Sequence, residues 1–224
     1  MSGSTRDAVL NRIRRANGAR PGDPERAKVV AERLGTAPRG IVPKRGQLPQ
    51  EERVRLFLDM AEKANATVAR VADYAELPEA VATFLREKNL PAELKLGADP
   101  RFADLDFSQT ALSVTHGASD GDDLAALSHA MGGIAETGTL MLTSGPDNPT
   151  SLNFLPEYHV VAVAAEDVAG DMETLLAKLR ETFGKGGMPR SVNFVTGPSR
   201  SADIEQTLLL GAHGPRSLHI VVVG

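Results

Sequence analysis

Gly133-Ile-Ala-Glu-Thr-Gly-Thr139 and Thr196-Gly-Pro-Ser-Arg-Ser-Ala-Asp-Ile-Glu205 are the two glycine turns that organise the chain from Ala111 onward, and each abuts an apolar run. The second follows Ser191-Val-Asn-Phe-Val195, whose β-branched and aromatic residues predict a buried strand. Gly197-Pro198 marks the strand's exit, and Ser199, Ser201 or Asp203 can each cap a helix that continues to Gly211. The start of such a helix offers unpaired N–H groups that, with Arg200 beside them, suit a phosphate or carboxylate. Against this, Asp203 and Glu205 repel an anion unless turned away, and an ordinary capped helix pairs Arg200 with one of them. In the first turn, Gly132, Gly133, Ala135 and Gly138 leave room for a ligand or for another backbone, ahead of a strand over 139–143. Glu136 is the carboxylate there: a general base or nucleophile, or an acceptor of backbone hydrogen bonds that fixes the turn, as Thr137 and Thr139 also can.

At 224 residues the chain suits one domain, or one with an extension, and its 42% hydrophobic and 24% charged residues are those of a globular protein. A net charge of -4, 4% aromatics and no Trp supply neither a basic surface nor a stacking platform for nucleic acid. There is no cysteine, which removes disulfides, thiolate zinc sites, cysteine nucleophiles and cysteine-ligated iron–sulfur clusters from this chain. No apolar stretch reaches the roughly 20 residues that span a bilayer, and without a signal-peptide core the expected location is cytoplasmic.

Two short helices are expected over 4–17 and 24–34, the first basic through Arg6, Arg12, Arg14 and Arg15. Either it docks on an acidic partner or it presents a solvated face. Pro38, Gly40, Pro43, Gly46 and Pro49 predict an extended linker from Gly35 to Pro49, so residues 1–48 form a helical arm and 49–224 the globular domain. Helical spacing at 50–64 and 78–88 alternates with strand-like runs at 67–71, 93–96 and 111–115. Alternation of this kind predicts an α/β fold, a mainly parallel sheet flanked by helices, with ligands beyond the carboxyl ends of its strands.

After the third strand, His116, Asp120, Asp122, Asp123 and His129 form a polar segment that is either a set of metal ligands or an acidic loop capping a short helix; the spacing matches no metal motif. The loop Ser144–Ser151 leads into one helical turn, making Ser144 and Asn153 candidates for ligand hydrogen bonds. His159 interrupts an apolar strand over 157–165 and reads as a satisfied core residue. A helix over 171–183 has packing as its role, and Gly184-Lys-Gly-Gly187 after it is no phosphate loop. His213, in the turn before a final strand over 218–223, is a candidate acid or base. A turn that leads into a strand sits at the amino edge of a parallel neighbour, so only an antiparallel final strand is expected to bring His213 to Ser199.

Glu136-Thr-Gly-Thr139, the string Thr196–Glu205, Gly211-Ala-His-Gly-Pro215 and the terminal Leu-His-Ile-Val-Val-Val together resemble the lactate-utilisation protein C family of LUD-domain proteins. The likeness runs from about Asn65 to the end. It implies a fold similar to the sugar-phosphate isomerase and coenzyme A transferase group, and a role beside iron–sulfur partner proteins in oxidising L-lactate to pyruvate. By the same analogy, Glu136 parallels the glutamate of coenzyme A transferases. Three functions follow: a cluster-free accessory subunit in lactate oxidation that binds a small metabolite or anion between the turns, with no cofactor identified; a stand-alone enzyme on a phosphorylated or coenzyme A-linked molecule; or a metabolite sensor. The combined candidate site is Glu136, Thr137, Gly138, Thr139, Ser144, Asn153, Gly197, Ser199, Arg200, Asp203 and His213.

Overall fold

A computed structural model describes residues 4–18, 20, 22–201 and 209–224. The chain divides into two compact units, Met1–Ile41 and Val42–Gly224. In the first, helix α1 (Thr5–Ala16) opens on Ser4, whose hydroxyl accepts from the Asp7 N–H, and α2 (Pro24–Thr36) opens on Asp23 with Pro24 at its first position. Neither helix buries a residue, and Val9, Ile13, Val29, Val30 and Leu34 remain exposed.

The second unit begins seven residues before the expected boundary at 49. Residues 44–46 form one 3-10 turn instead of extended linker. Hydrogen bonds from Gln47 Nε2 to Asp171 Oδ2 (2.9 Å) and from Gln50 Nε2 to Ala165 O (2.7 Å) tie this stretch to the α/β unit. Helix α3 (Gln50–Lys63) follows, then strand β1 (Thr67–Val71), α4 (Leu77–Glu87), β2 (Glu93–Leu96) and β3 (Ser113–His116). Next come β4 (Ala125–His129), β5 (Gly132–Ile134), β6 (Thr139–Thr143), α5 (Ser151–Phe154) and β7 (Tyr158–Ala164). The chain closes with β8 (Val168–Ala169), α6 (Met172–Phe183), β9 (Val192–Val195), β10 (Arg200–Ser201), β11 (Leu209–Leu210) and β12 (Ser217–Val223).

Among the described residues, six strands pair in the order β1-β12-β7-β4-β2-β3, every pair parallel. This is the α/β fold that the alternation predicts. Apart from His159 in β7 and Ser217 and His219 in β12, these two strands are nearly continuous apolar runs, because both faces are covered. Val160, Ala162, Val221 and Val223 meet Leu77, Val81, Phe84 and Leu85 around α4. Val161, Val163, Ile220 and Val222 meet Val54, Phe57 and Ala61 of α3. What the alternation does not separate is a second sheet, β8-β5-β6-β9, in which β5 with β6 and β6 with β9 are antiparallel. Its Leu140 and Leu142 join the α3 core, and its Ile134 and Met141 pack on Leu175 and Leu179 of α6.

Two sequence expectations fail locally. The stretch after His116 does not lead into a helix: Asp123 pairs with Lys95 (Nζ to Oδ1, 3.6 Å), and Ala125–His129 is the fully buried strand β4. Nor does a helix span Ser199 to Gly211, since Arg200–Ser201 and Leu209–Leu210 pair as an antiparallel ribbon. Asp203 and Glu205 lie outside the described residues.

Candidate functional site

The two glycine turns converge on the carboxyl end of α3, and the helix backbone occupies the space their glycines leave. Gly138 has φ +66, and a Cβ there would stand 2.3 Å from the Ala61 nitrogen; Gly197 has φ +69, and its Cβ would stand 2.1 Å from the Ala64 oxygen. Of the two readings of these turns, close backbone approach is the one realised. A chain of hydroxyls joins them, Thr137 Oγ1 to Thr139 Oγ1 at 2.7 Å and Thr139 Oγ1 to Thr196 Oγ1 at 2.6 Å. Glu136 is buried and lies 3.8 Å from Arg45 Nε across an ion pair. Ser144 clamps the start of β9, its Oγ accepting from the Ser191 N–H (2.9 Å) while its own N–H donates to Ser191 O (3.0 Å).

The remaining candidates gather elsewhere. A cleft of about 270 Å³ is lined by Asn153, Gly197, Ser199, Arg200 and His213, five of the expected residues, together with His159. Glu136, Thr137, Gly138, Thr139 and Ser144 are not among its lining residues. It opens at the amino ends of β7 and β12, opposite the carboxyl edge where open parallel sheets usually bind ligands. Its existence corrects the expectation about His213 and Ser199. Strand β12 is parallel to both neighbours, yet the His213 N–H donates to Ser199 Oγ at 3.2 Å. The turn after β9 reaches this edge because β9 belongs to the second sheet, whose direction is independent of β12. Ser199 fixes the junction further, donating its N–H to Pro215 O (2.8 Å) and accepting the Gly211 N–H (3.0 Å).

Arg200 stands exposed at the cleft and donates from Nη2 to Ala64 O, the last carbonyl region of α3 (3.3 Å). No Asp or Glu belongs to the described lining residues, while Asp203 and Glu205 lie outside the described residues. The floor is buried and polar. His159 Nε2 meets Ser128 Oγ at 2.9 Å, and Ser128 Oγ meets Asn153 Oδ1 at 3.1 Å. Among the described residues, His159 Nδ1 and Asn153 Nδ2 have no partner. Burial holds the His159 pKa down to about 3, so its ring is neutral at physiological pH. His159 is therefore half-satisfied rather than the satisfied core residue expected, and Ser128 escaped notice. The available signal was a lone histidine in an otherwise apolar strand.

A second polar cluster lies at the carboxyl end of β4 and shows the contrast. His129 Nε2 meets Tyr74 OH at 2.6 Å and its Nδ1 meets Ala130 O at 2.7 Å, so both ring nitrogens are bonded. Burial, reinforced by the Arg101 charge, lowers its pKa to about 4. Asp99 holds Arg101 through two side-chain hydrogen bonds, Oδ1 to Nε at 2.7 Å and Oδ2 to Nη2 at 2.5 Å. This network is closed, whereas the cleft floor is open. Among the described residues, no group of three His, Asp or Glu side chains is placed to hold a metal ion, and His116 and His129 do not join Asp120, Asp122 and Asp123 in one.

The fold and this arrangement are similar to those of LUD-domain proteins, and residues 122–223 match the LUD domain. Its relatives include lactate utilization protein C of Geobacillus kaustophilus, 29% identical over 222 residues, which cover 87% of this chain and 92% of that protein. Lactate utilization protein C of Geobacillus thermodenitrificans is 34% identical over 143 residues, 56% of this chain and 60% of that one. The crystal structure of a DUF162 family protein from Deinococcus radiodurans shares the fold, with a TM-score of 0.56 at 23% identity over 79% of this chain and 99% of that chain. No helix among the described residues is long and apolar enough to cross a membrane.

Proposed function

We propose that this protein serves in lactate utilization as a cluster-free subunit that binds a small carboxylate metabolite in the cleft beside Arg200. The carrying observation is the cleft's composition: one guanidinium, a buried polar floor and no carboxylate among its described lining residues. An anion entering it meets Arg200, with no carboxylate among the described lining residues to repel it. The names of the relatives supply the metabolic setting. A sequence without cysteine gives electrons from lactate no thiolate-held cluster here, so iron–sulfur partner subunits are the proposed acceptors. The enzyme reading centred on Glu136 draws no support from the geometry, since that carboxylate faces Arg45 and is absent from the cleft lining.

The test is a thermal-shift titration with L-lactate, pyruvate, sugar phosphates and coenzyme A esters. A ligand specific to the native state raises the melting temperature progressively above its Kd. A small carboxylate is expected to shift it, Arg200→Ala to weaken that ligand about tenfold, and Glu136→Gln to leave the shift intact. A shift that survives Arg200→Ala but vanishes in Glu136→Gln would replace this reading with the enzymatic one.

A further inference from the structure

A groove of about 690 Å³ runs between α4 and β1, an edge strand of the six-stranded sheet, and shares no lining residue with the cleft. Its floor is apolar, formed by Ala69 and Val71 of the strand and Ala80 and Phe84 of the helix. Its rim is acidic: Glu76, Glu79 and Glu87 belong to the lining, and no Lys or Arg stands among the described lining residues. Glu76 accepts the Ala72 N–H at 2.9 Å and so holds the turn before α4. Glu79 pairs with Arg86 at 3.5 Å, with both side chains mostly exposed, and Glu87 is exposed as well. An exposed pair of that kind is worth little and leaves Glu79 open to another cation.

Helix α1 carries the complement. Val9, Leu10 and Ile13 recur at the three- and four-residue spacings that place them on one stripe. Arg12 and Arg14, the neighbours of Ile13 in sequence, lie about 100° to either side of that residue. The stripe is uncovered, since no residue of α1 is buried and Val9 and Ile13 are 54% and 51% exposed. With 12 residues in α1 and 11 in α4, the two helices are about 18 and 17 Å long, so one laid along the groove meets it over its whole length.

We propose that the groove between α4 and β1 receives helix α1 of a second copy of this chain, the stripe of Val9, Leu10 and Ile13 on the apolar floor and Arg12 and Arg14 against Glu79 and Glu87. Charge complementarity selects this occupant. The groove lining carries three carboxylates, and α1 sets Arg6, Arg12, Arg14 and Arg15 against Asp7 alone. Helix α2 also exposes Val29, Val30 and Leu34, but its Glu25 and Glu32 offset Arg26, Lys28 and Arg33, so it is the poorer match. Each copy has one arm and one groove, and reciprocal docking therefore closes a two-fold pair in which every such helix and every such groove is covered.

Sedimentation velocity of the full chain over a dilution series tests this, at low salt where exposed charges are least screened. The unmodified chain is expected to pass from monomer to dimer between about 1 and 100 μM, the range of a small, partly polar interface. An arm-reversed chain, Arg12→Glu with Arg14→Glu, and a groove-reversed chain, Glu79→Lys with Glu87→Lys, are each checked for native circular dichroism. Each is expected to weaken the dimer about tenfold or more, because like charges then oppose one another. An equimolar mixture of the two is expected to restore it, since acidic arms then face basic grooves and basic arms face acidic ones. An unmodified chain that stays monomeric at the highest concentration overturns the proposal, and that result needs no variant to fold. A dimer that survives either reversal, or a mixture no more associated than its separate components, overturns it as well.

Discussion

At the scale of single residues, the glycines and polar side chains of this protein separate into those that shape the fold and those left open. Gly138 belongs to the first group. Its φ of +66 disfavours any L side chain, and the position of a Cβ falls 2.3 Å from a backbone nitrogen of α3, which cannot swing aside as a side-chain tip would. Gly138→Ala is expected to cost about 3 kcal/mol, a drop of roughly 6 to 12 °C in melting temperature for a chain of this size. A change below about 2 °C by calorimetry would show that α3 can retreat. The same glycine was visible in the sequence as a small residue in a conspicuous turn, but a turn built for a ligand and one built for a helix have identical composition. His159 shows the converse, because a residue's hydrogen-bond partners come from strands and helices distant in sequence: Ser128 on β4 and Asn153 on α5.

At the scale of elements, local chemistry carried much of the reading. Helix α6 begins one residue after Asp171 and follows its apolar spacing to Phe183, as the pattern predicts. Asp171 caps it, Oδ1 accepting from the Thr174 N–H at 2.9 Å, and its other oxygen accepts from Gln47 Nε2 (2.9 Å) and Thr174 Oγ1 (3.0 Å). Asp171→Ala removes the cap and orphans donors from two elements, so a loss of about 2 to 3 kcal/mol is expected, measured by denaturant unfolding. A loss under about 0.5 kcal/mol would reduce Asp171 to an ordinary surface cap. The parallel strands were legible because β7 and β12 are apolar on both faces. Sheet membership was not, since β6 and β9 carry the same apolar signature and their pairing with each other depends on contacts across the intervening α5, β7, β8 and α6. The ribbon of β10 and β11 defeated the pattern for a different reason. Short polar and leucine-containing segments hold no period long enough to separate helix from strand, and the pairing of Arg200 with Leu210 decides them.

At the scale of the whole molecule, two properties follow from how the parts divide. The first unit buries nothing in α1 or α2 and exposes Leu34 and Ile41 at 72% and 95%, so its apolar positions contribute little to its own stability. Deleting residues 1–41 is expected to leave the melting temperature of the α/β unit within about 2 °C and to weaken assembly with partner subunits, read by co-purification; unchanged assembly would exclude the arm as a docking element. The second property is acid sensitivity. Burial, the largest cause at each site, pushes three histidines below their ordinary 6.5: His159 to about 3, and His129 and His219 to about 4, with Arg101 and Lys88 adding to the effect at the last two. In the unfolded chain all three titrate near 6.5, so between that value and about 4 the unfolded state binds more protons than the native one. Their contribution is complete above about pH 6.5 and is lost as pH falls, at up to about 1.4 kcal/mol per histidine per unit. By pH 5 the three together remove on the order of 6 kcal/mol, comparable with the entire stability of an ordinary domain. Melting temperature is therefore expected to be level from pH 8 to 7 and to fall steeply from 6.5 to 5. His219 stacks on Phe84 with ring centroids 4.3 Å apart and lies outside the cleft lining, so His219→Phe keeps the stack and removes one titration. That variant is expected to lose about a third of the slope between pH 6.5 and 5, and a wild-type melting temperature that stays level down to pH 5 would show that these rings accept protons without unfolding the chain.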